Sequence, residues 1–333
     1  MHQIPNPMKL LDGKKLNEKI AQKLKSQISA LRTRPKLVII QVDDLAESNA
    51  YIGRKIKFGE KIGAVVEHKR FPETISQKDL TDKIKTICLH DSNHGVIVQI
   101  PLPKHIDKDE IIDSIDPAKD VDGLTSRNLK LLWENKTVDY SSSERRESRS
   151  LSTSSSLSNL GVEDLSSRPK GSRQARTINT GFIPATTKGV ISLLDEYKIP
   201  IVGKHVVVVG RSFLVGKPTF LAFLNRDATV TVCHRHTKNL AKHTKSADIL
   251  IVAAGKPNLI GKEHVHKNQV VIDVGINAIP DEDGPRHKLV GDVNFAEVSK
   301  IVKAISPVPG GAGPMTVASL FENLLDAYTQ QIP

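Results

Sequence analysis

Apolar positions in the first part of the chain recur with two distinct periods. Over 12–34, Leu16, Ile20, Leu24, Ile28 and Leu31 are spaced as on one helical face, and Pro35 closes the run. This predicts an amphipathic helix. KLVIIQV (36–42) is a nearly continuous apolar run, as expected of a strand covered by helices on both faces. A helix follows through Ile62, with Ser48 as its expected N-cap. VVEHKRF (65–71) reads as a strand, 77–90 as a helix with Leu80, Ile84 and Ile87 inward, and GVIVQI (95–100) as another buried strand. Strand and helix alternate, which predicts a parallel α/β sheet.

From about 134 to 178 both periods stop. The stretch 140–172 holds thirteen serines in 33 residues and too little apolar surface to offset the entropy of ordering it. It is expected to be a disordered Ser/Arg-rich insertion. A phosphorylated regulatory segment and a plain surface loop are both compatible with it, and the plain loop is the simpler reading. The pattern resumes near Ile178 with a helix at 187–197, a strand at 205–209 (HVVVV) and a helix at 216–226. Strands follow at 228–232, 248–254 and 269–276, with a helical stretch around 238–246. Short, β-branched strands alternating with helices predict a dinucleotide-binding fold. A last helix over 314–329 presents Val317, Leu320, Leu324 and Tyr328 as its buried side.

A length of 333 residues fits two ordinary domains. The two cysteines, Cys88 and Cys233, exclude a disulfide scaffold and a cysteine-rich zinc site and lead us to expect a reducing, cytosolic setting. No apolar run is long enough to span a bilayer, and MHQIPNPMKLLDG does not resemble a targeting segment. The formal charge of +11 raises the question of nucleic acid, but +3 of it lies within 140–176 and only 4% of residues are aromatic. That is too few for base-stacking platforms. Small phosphate- or carboxylate-bearing ligands suit such a field equally well. Neither nucleic acid nor a membrane is an expected partner.

Several segments carry candidate chemistry. In VVVVGRSFLVGKP (206–218), Gly210 ends a strand and Gly216 opens a helix, so backbone amides and the helix dipole are placed to hold a pyrophosphate. The spacing departs from G-x-G-x-x-G, and an ordinary strand-to-helix turn is the competing reading. Tyr51 and Lys55 are four apart and share a helix face, where packing alone is the ordinary explanation. Gln99 stands at the exit of a buried strand before Pro101 and Pro103, where open α/β sheets bind ligands. Asp120 and Asp122 in KDVDGL lie in a turn, and turn chemistry alone accounts for such residues. PVPGGAGPMT (307–316) permits close backbone approach to a ligand or is simply a tight connection.

Taken in order, Tyr51-x-x-x-Lys55, VQIPLP (98–103), KDVDGL (119–124), VVGRSFLVGKP (208–218), ATVTVCH (228–234), VIDVGIN (271–277), VGDV (290–293) and PVPGGAGPMT (307–316) closely resemble the bifunctional methylenetetrahydrofolate dehydrogenase/methenyltetrahydrofolate cyclohydrolase family. The resemblance covers nearly the whole chain outside 134–178. It implies an α/β protein of two domains: an N-terminal folate-binding catalytic domain formed by 1–133 plus 307–333, and a Rossmann-like NADP-binding domain over 179–306. It implies Lys55 as the central catalytic residue, with Tyr51, Gln99 and Asp122 beside it. Tyr51, Lys55, Val98, Gln99, Ile100, Asp122, Pro307, Gly310, Gly311 and Pro314 would line the folate cleft. By the resemblance Gly210, Arg211, Ser212 and Ile276 would contact the cofactor; Gly216, which opens the helix, and Arg235, at the end of the strand 228–232, are expected to join them on their own chemistry. A homodimer formed through the dinucleotide-binding domain is also implied, with a folate substrate that carries one or several glutamates. No metal is called for.

The chain departs from the family pattern at Pro184-Ala185-Thr186-Thr187, where P-C-T-P is usual, at Asp43, where a glycine is common, and at Arg235, where a serine is usual. Three readings stay open on residues alone: the bifunctional enzyme, a dehydrogenase with weak or absent cyclohydrolase activity, and a silent scaffold on the same fold. Retention of Tyr51, Lys55, Gln99 and Asp122 together favours an active enzyme. Cofactor choice rests on the strand 228–232, which ends in Cys233-His234-Arg235-His236. An acid at that end would bind ribose hydroxyls and select NAD. A basic end suits a 2′-phosphate, to which Arg211 adds a second guanidinium, so NADP is the expected cofactor.

Overall fold

The structure, a computed structural model, describes residues 8–137, 180–280 and 287–331. The chain begins with a two-residue strand, β1 (Lys9–Leu10), and a helix, α1 (Gly13–Ser29), whose first turn is capped by the Asp12 carboxylate accepting from the Lys15 amide at 3.0 Å. Then come β2 (Lys36–Val42), α2 (Ala46–Ile62), β3 (Val65–Phe71), α3 (Gln77–Leu89) and β4 (Gly95–Val98). These strands form a three-stranded parallel sheet in the order β3-β2-β4. Period-two alternation splits the central strand between two cores. Leu37 and Ile39 face α1, α2 and the C-terminal helix, whereas Val38, Ile40 and Val42 face Leu80, Ile84 and Ile87 of α3. Burial on both faces is why β2 lacks the alternation of a half-exposed strand.

Two short helices, α4 (Lys108–Asp113) and α5 (Ser126–Trp133), complete this part. Neither is visible in the apolar periodicity of the sequence. Each is started by a side-chain cap, Asp107 and Thr125 respectively, and caps of this kind precede helices too short to show a period. Ser48, expected as the cap of α2, lies inside its first turn and is buried. The helix starts earlier, after Leu45, whose carbonyl accepts from the Asn49 amide at 3.0 Å.

Of the segment expected to be a disordered insertion, 134–137 is described and 138–178 lies outside the described residues. The Lys136 carbonyl accepts from the Gly181 amide at 2.8 Å and Thr137 bridges to Gly181, so the two flanks meet. Beyond it stand α6 (Ala185–Glu196), β5 (His205–Val209), α7 (Gly216–Leu224), β6 (Thr229–Cys233), α8 (Leu240–Thr244), β7 (Ile249–Val252) and β8 (Val270–Asp273). A hairpin pairs β9 (Asn277–Pro280) with β10 (His287–Val290) and is followed by α9 (Phe295–Val298), β11 (Ala304–Ile305) and the long α10 (Ala312–Gln331). The hairpin and β11 were not anticipated.

The second sheet has six parallel strands in the order β1-β11-β8-β7-β5-β6. Its edge strand β1 was expected with the first domain. Lys9 and Leu10 instead pair with Ala304 and Ile305 of β11. Helix α10 returns to pack on α1, α2 and α6. A buried polar cluster seals that seam: Lys188 donates to Asn323 Oδ1 at 2.9 Å and to Asp326 at 3.3 Å, and Asn323 donates to the carbonyls of Val121 and Ile183. The departure at 184–187 fits this packing. Thr187, in place of a proline, is fully buried with its hydroxyl 3.1 Å from that of Thr219, and the Ala185 amide donates to the Asp122 carbonyl at 3.2 Å.

Candidate active site

Three elements of the first part converge at the carboxyl end of its sheet. Helix α2 carries Tyr51 and Lys55 one turn apart, both half-buried, and the Arg54 guanidinium sits 5.3 Å from the Tyr51 ring centre. The chain leaving β4 carries Val98, Gln99 and Ile100. The Gln99 amide N–H donates to the Ile40 carbonyl at 2.8 Å and extends the ladder by one residue. Its side-chain Nε2 donates to the Ile100 carbonyl at 2.9 Å, which turns Oε1 toward α2. Lys55 Nζ donates to that oxygen at 3.0 Å. Burial pushes the Lys55 ammonium below its ordinary pKa, and the Asp122 carboxylate opposes the shift. Asp122 is itself pushed up by burial and pulled back by Lys55. Each charge therefore acts on the other at a distance, while Gln99 is the direct hydrogen-bond partner of the amine.

The two aspartates of KDVDGL part company. Asp120 is buried and accepts from the amides of Gly123 and Thr125 and from Asn128 Nδ2, at 3.0, 2.7 and 2.8 Å. Burial nevertheless pushes its pKa up to about 6. Asp120 builds the turn, and the turn presents Asp122. The two roles are separated by burial and partners: Asp120 is almost wholly buried and spent on the turn, whereas Asp122 is only half-buried.

The 307–311 loop and the first turn of α10, which begins at Ala312 rather than at the expected 314, are fixed mainly by backbone contacts. The Gly311 amide donates to the Pro307 carbonyl at 2.7 Å, and the Lys14 amide to the Gly310 carbonyl at 3.0 Å. Asn17 donates to the Pro314 carbonyl at 2.7 Å. A side chain at Gly13 would run into the Gly311 carbonyl, so loop and helix α1 touch through bare backbone. In the first turn of α10, Gly313 lies against Ile276, which joins this segment to the second sheet. The segment thus reaches toward the cofactor side; no hydrogen bond links it to Lys55.

In the second sheet, β6 and β7 flank β5 on opposite sides, so the carboxyl end of β5 is a topological switch point, where open α/β sheets bind ligands. Gly210 stands there with φ +130°, its amide donating to the Cys233 carbonyl, and a Cβ at this position would strike the Ala253 carbonyl. A Cβ on Gly216 would strike the Gly210 carbonyl. Ser212 Oγ accepts from the amides of Val215 and Gly216 at 3.2 and 3.3 Å, starting α7 in place of a conventional cap. These glycines leave a bare cradle at a helix N-terminus that fits a pyrophosphate. Arg211 and Arg235 are both exposed. Arg235 Nε donates to His236 Nε2 at 3.0 Å, and His234 is held below the ordinary histidine range by desolvation, then by Arg211 and His236. Arg211 and the end of β6 therefore share one basic corner, which fits a 2′-phosphate.

Comparison with known proteins agrees with this geometry. Residues 11–122 match the family model "Tetrahydrofolate dehydrogenase/cyclohydrolase, catalytic domain", and 184–332 match "Tetrahydrofolate dehydrogenase/cyclohydrolase, NAD(P)-binding domain". The bifunctional protein FolD of Nautilia profundicola is 41% identical over 323 residues, covering 96% of this chain and 97% of its own. The crystal structure of the bifunctional FolD enzyme from Campylobacter jejuni superposes with a TM-score of 0.81 at 38% identity, over 98% of this chain and 100% of that one. The Trypanosoma brucei enzyme, solved with NADP cofactor and inhibitor, gives a TM-score of 0.81 at 29% identity, with 98% of each chain covered. Matched in both halves and over almost its full length, the chain belongs to the tetrahydrofolate dehydrogenase/cyclohydrolase family.

Proposed function

We propose that one cleft of this protein oxidises 5,10-methylenetetrahydrofolate to 5,10-methenyltetrahydrofolate with NADP and then hydrolyses the product to 10-formyltetrahydrofolate, with Lys55 as the residue common to the two steps. The observation that carries this reading is the lysine amine held by a neutral amide, Gln99, at the mouth of a buried strand. Removing a hydride from the methylene carbon leaves a cation spread over two nitrogens. A carboxylate next to that carbon would stabilise the cation and trap it. A neutral amine does not, and it can take a proton from water as the oxygen adds to the methenyl carbon. The Lys55 shift toward the neutral form serves that role, and Gln99 orients the amine without adding charge. As the carbon–N5 bond breaks, the proton held on Lys55 passes to N5 and the new hydroxyl releases its own to solvent, which leaves the 10-formyl product.

Asp122 is proposed to bind the pterin amino groups, and Tyr51 to flank the ring. Val98, Ile100, the loop residues Pro307, Gly310 and Gly311, and Pro314 of α10 complete the folate walls. NADP, when bound, accepts the hydride. Gly210, Ser212 and Gly216 would cradle its pyrophosphate, Arg211 and Arg235 its 2′-phosphate, and Ile276 would lie beside the nicotinamide. The first domain is assigned to 11–133 with the C-terminal helix, and the cofactor domain to 180–306 with the edge strand β1. A homodimer through the cofactor domain, a polyglutamylated substrate and a cytoplasmic location belong to the same proposal. The test is an absorbance assay with methylenetetrahydrofolate and each nicotinamide cofactor, following methenyl product and reduced cofactor together. Accumulation of methenyltetrahydrofolate without hydrolysis would reduce the protein to a dehydrogenase alone.

A further inference from the structure

Two motifs, VIDVGIN and VGDV, place the carboxylates of Asp273 and Asp292 side by side in the second sheet, 3% and 0% exposed. Every hydrogen bond made by either carboxylate comes from an N–H donor. Asp292 Oδ2 accepts from the amides of Ala254 and Gly255 at 2.6 and 2.9 Å, and its Oδ1 from the Lys256 amide and Asn277 Nδ2, both at 2.9 Å. Asp273 Oδ1 accepts from the amides of Gly275 and Asp292 at 3.0 and 3.1 Å, and its Oδ2 from Val293 at 2.9 Å. The glycines of both motifs make room for this pair: a Cβ on Gly275 would enter the Asp292 carboxylate, and one on Gly291 the Asp273 carboxylate.

Burying two adjacent carboxylates is unfavourable unless their acceptors are fully used. What they use is backbone amides of 254–256, Gly275, Asp292 and Val293, together with the side-chain amide of Asn277. Residues 254–256 leave β7 next to Ala253, whose carbonyl crowds Gly210, and 274–277 leave β8 and carry Ile276. Asp292 is tied to both segments, to the first through its amides and to the second through the Asn277 side chain. Donors occupy both of its oxygens, so an amide in its place would set N–H against N–H. We infer that Asp292 is a positioning residue of the cofactor site: it fixes the exits of β7 and β8 relative to each other, with Asp273 as its buttress from below, and so sets the wall on which the nicotinamide half of the cofactor is held. The inference rests on the cofactor placement proposed above. Asp292 acts through the 254–256 amides and the Asn277 side chain, and makes no hydrogen bond to Lys55 or Gln99.

The hydrolysis of methenyltetrahydrofolate needs no nicotinamide, which separates this role from a general one in folding. In D292N, titration with NADPH followed by its fluorescence is expected to show affinity weakened about ten- to a hundredfold, the scale of a disrupted charge-assisted contact. Cofactor-free hydrolysis of added methenyltetrahydrofolate should stay within about twofold of the unsubstituted protein, since Lys55 and Gln99 are unchanged. Asn277→Ala, which removes a single donor, should weaken NADPH about three- to tenfold with hydrolysis intact, and it decides the matter if D292N does not fold. Unaltered NADPH affinity in the folded variants, or loss of binding and hydrolysis in equal proportion, would overturn the inference. Arg211→Ala in the same titration reports on the cofactor placement alone. If R211A leaves NADPH affinity unchanged, that placement fails; if R211A weakens binding and D292N does not, only the role of Asp292 fails.

Discussion

Lys55 and Gln99 lie 44 positions apart in sequence and meet at 3.0 Å, an ammonium held by an amide oxygen at the end of a buried strand. With an uncharged direct partner, the protonation of Lys55 is set by how dry the site is and by one carboxylate, Asp122. The chemistry of hydrolysis can therefore be tuned from two positions in opposite directions.

Replacing Lys55 with methionine keeps an unbranched apolar stem, one atom shorter, and removes the base. Hydrolysis of methenyltetrahydrofolate should fall to background, while the melting temperature and NADPH affinity hold. Hydrolysis at the original rate in K55M would take Lys55 out of the mechanism.

The neutral amine is the proposed base, so the hydrolytic rate should rise with pH through the Lys55 pKa, which lies below the usual lysine range. Asp122 favours the ammonium. Asp122→Asn should therefore move the midpoint of the pH–rate profile to lower pH and weaken folate binding about ten- to a hundredfold through the lost charge-assisted bond. A midpoint moving to higher pH would contradict the arrangement.

Gln99→Glu adds the charge that the native site omits. It should raise the Lys55 pKa, shift the same midpoint to higher pH and lower the rate at neutrality. Profiles for Q99E and the unsubstituted protein that coincide would show that the contact does not control the amine.

NADP should be preferred over NAD by about tenfold or more in kcat/KM, consistent with a charge-assisted phosphate contact of about 1.5–3 kcal/mol. Arg235→Ala and Arg211→Ala should each narrow that gap by raising KM for NADP while leaving NAD kinetics nearly alone. Equal efficiency with both cofactors in the unsubstituted enzyme would show that the basic end of β6 does not read the phosphate.

The seam between the two parts can be probed at Lys188. Lys188→Met leaves Asp326 without its buried cation and should cost about 3 kcal/mol of stability, the lower end for a broken buried pair. The double variant K188M/D326L should recover much of that loss. Additive destabilisation in thermal unfolding would mean that the two side chains are energetically independent.

Much of this architecture was legible in the pattern of apolar residues. The strand 36–42 was predicted with its observed bounds, because a strand covered on both faces carries an unbroken signal. Elements that escaped are those whose partners lie far away. Lys9–Leu10 is a strand only because Ala304–Ile305 lies beside it, and two residues cannot display a period. The site shows the same division. Tyr51 and Lys55 follow from helical spacing, but nothing local joins them to Gln99 or Asp122. Resemblance to a family supplied that grouping and singled out Asp122, whereas turn chemistry alone could not separate it from Asp120, which builds the turn. Asp273 and Asp292 were visible only as letters in two motifs, since a carboxylate serving backbone amides leaves no mark in the sequence.

The way β1 and α10 cross between the two sheets has a consequence for the severed polypeptide. A cut between 137 and 180 would leave one fragment with its first strand sewn into the other's sheet, and the second with its last helix laid over the first fragment's α1 and α2. Neither fragment holds a finished catalytic centre. Lys55, Gln99 and Asp122 stay on one, and the glycine cradle and the 307–311 loop on the other. The halves should be recovered together by a tag on either one and part only in denaturant, and two inert polypeptides expressed side by side should reconstitute a working enzyme.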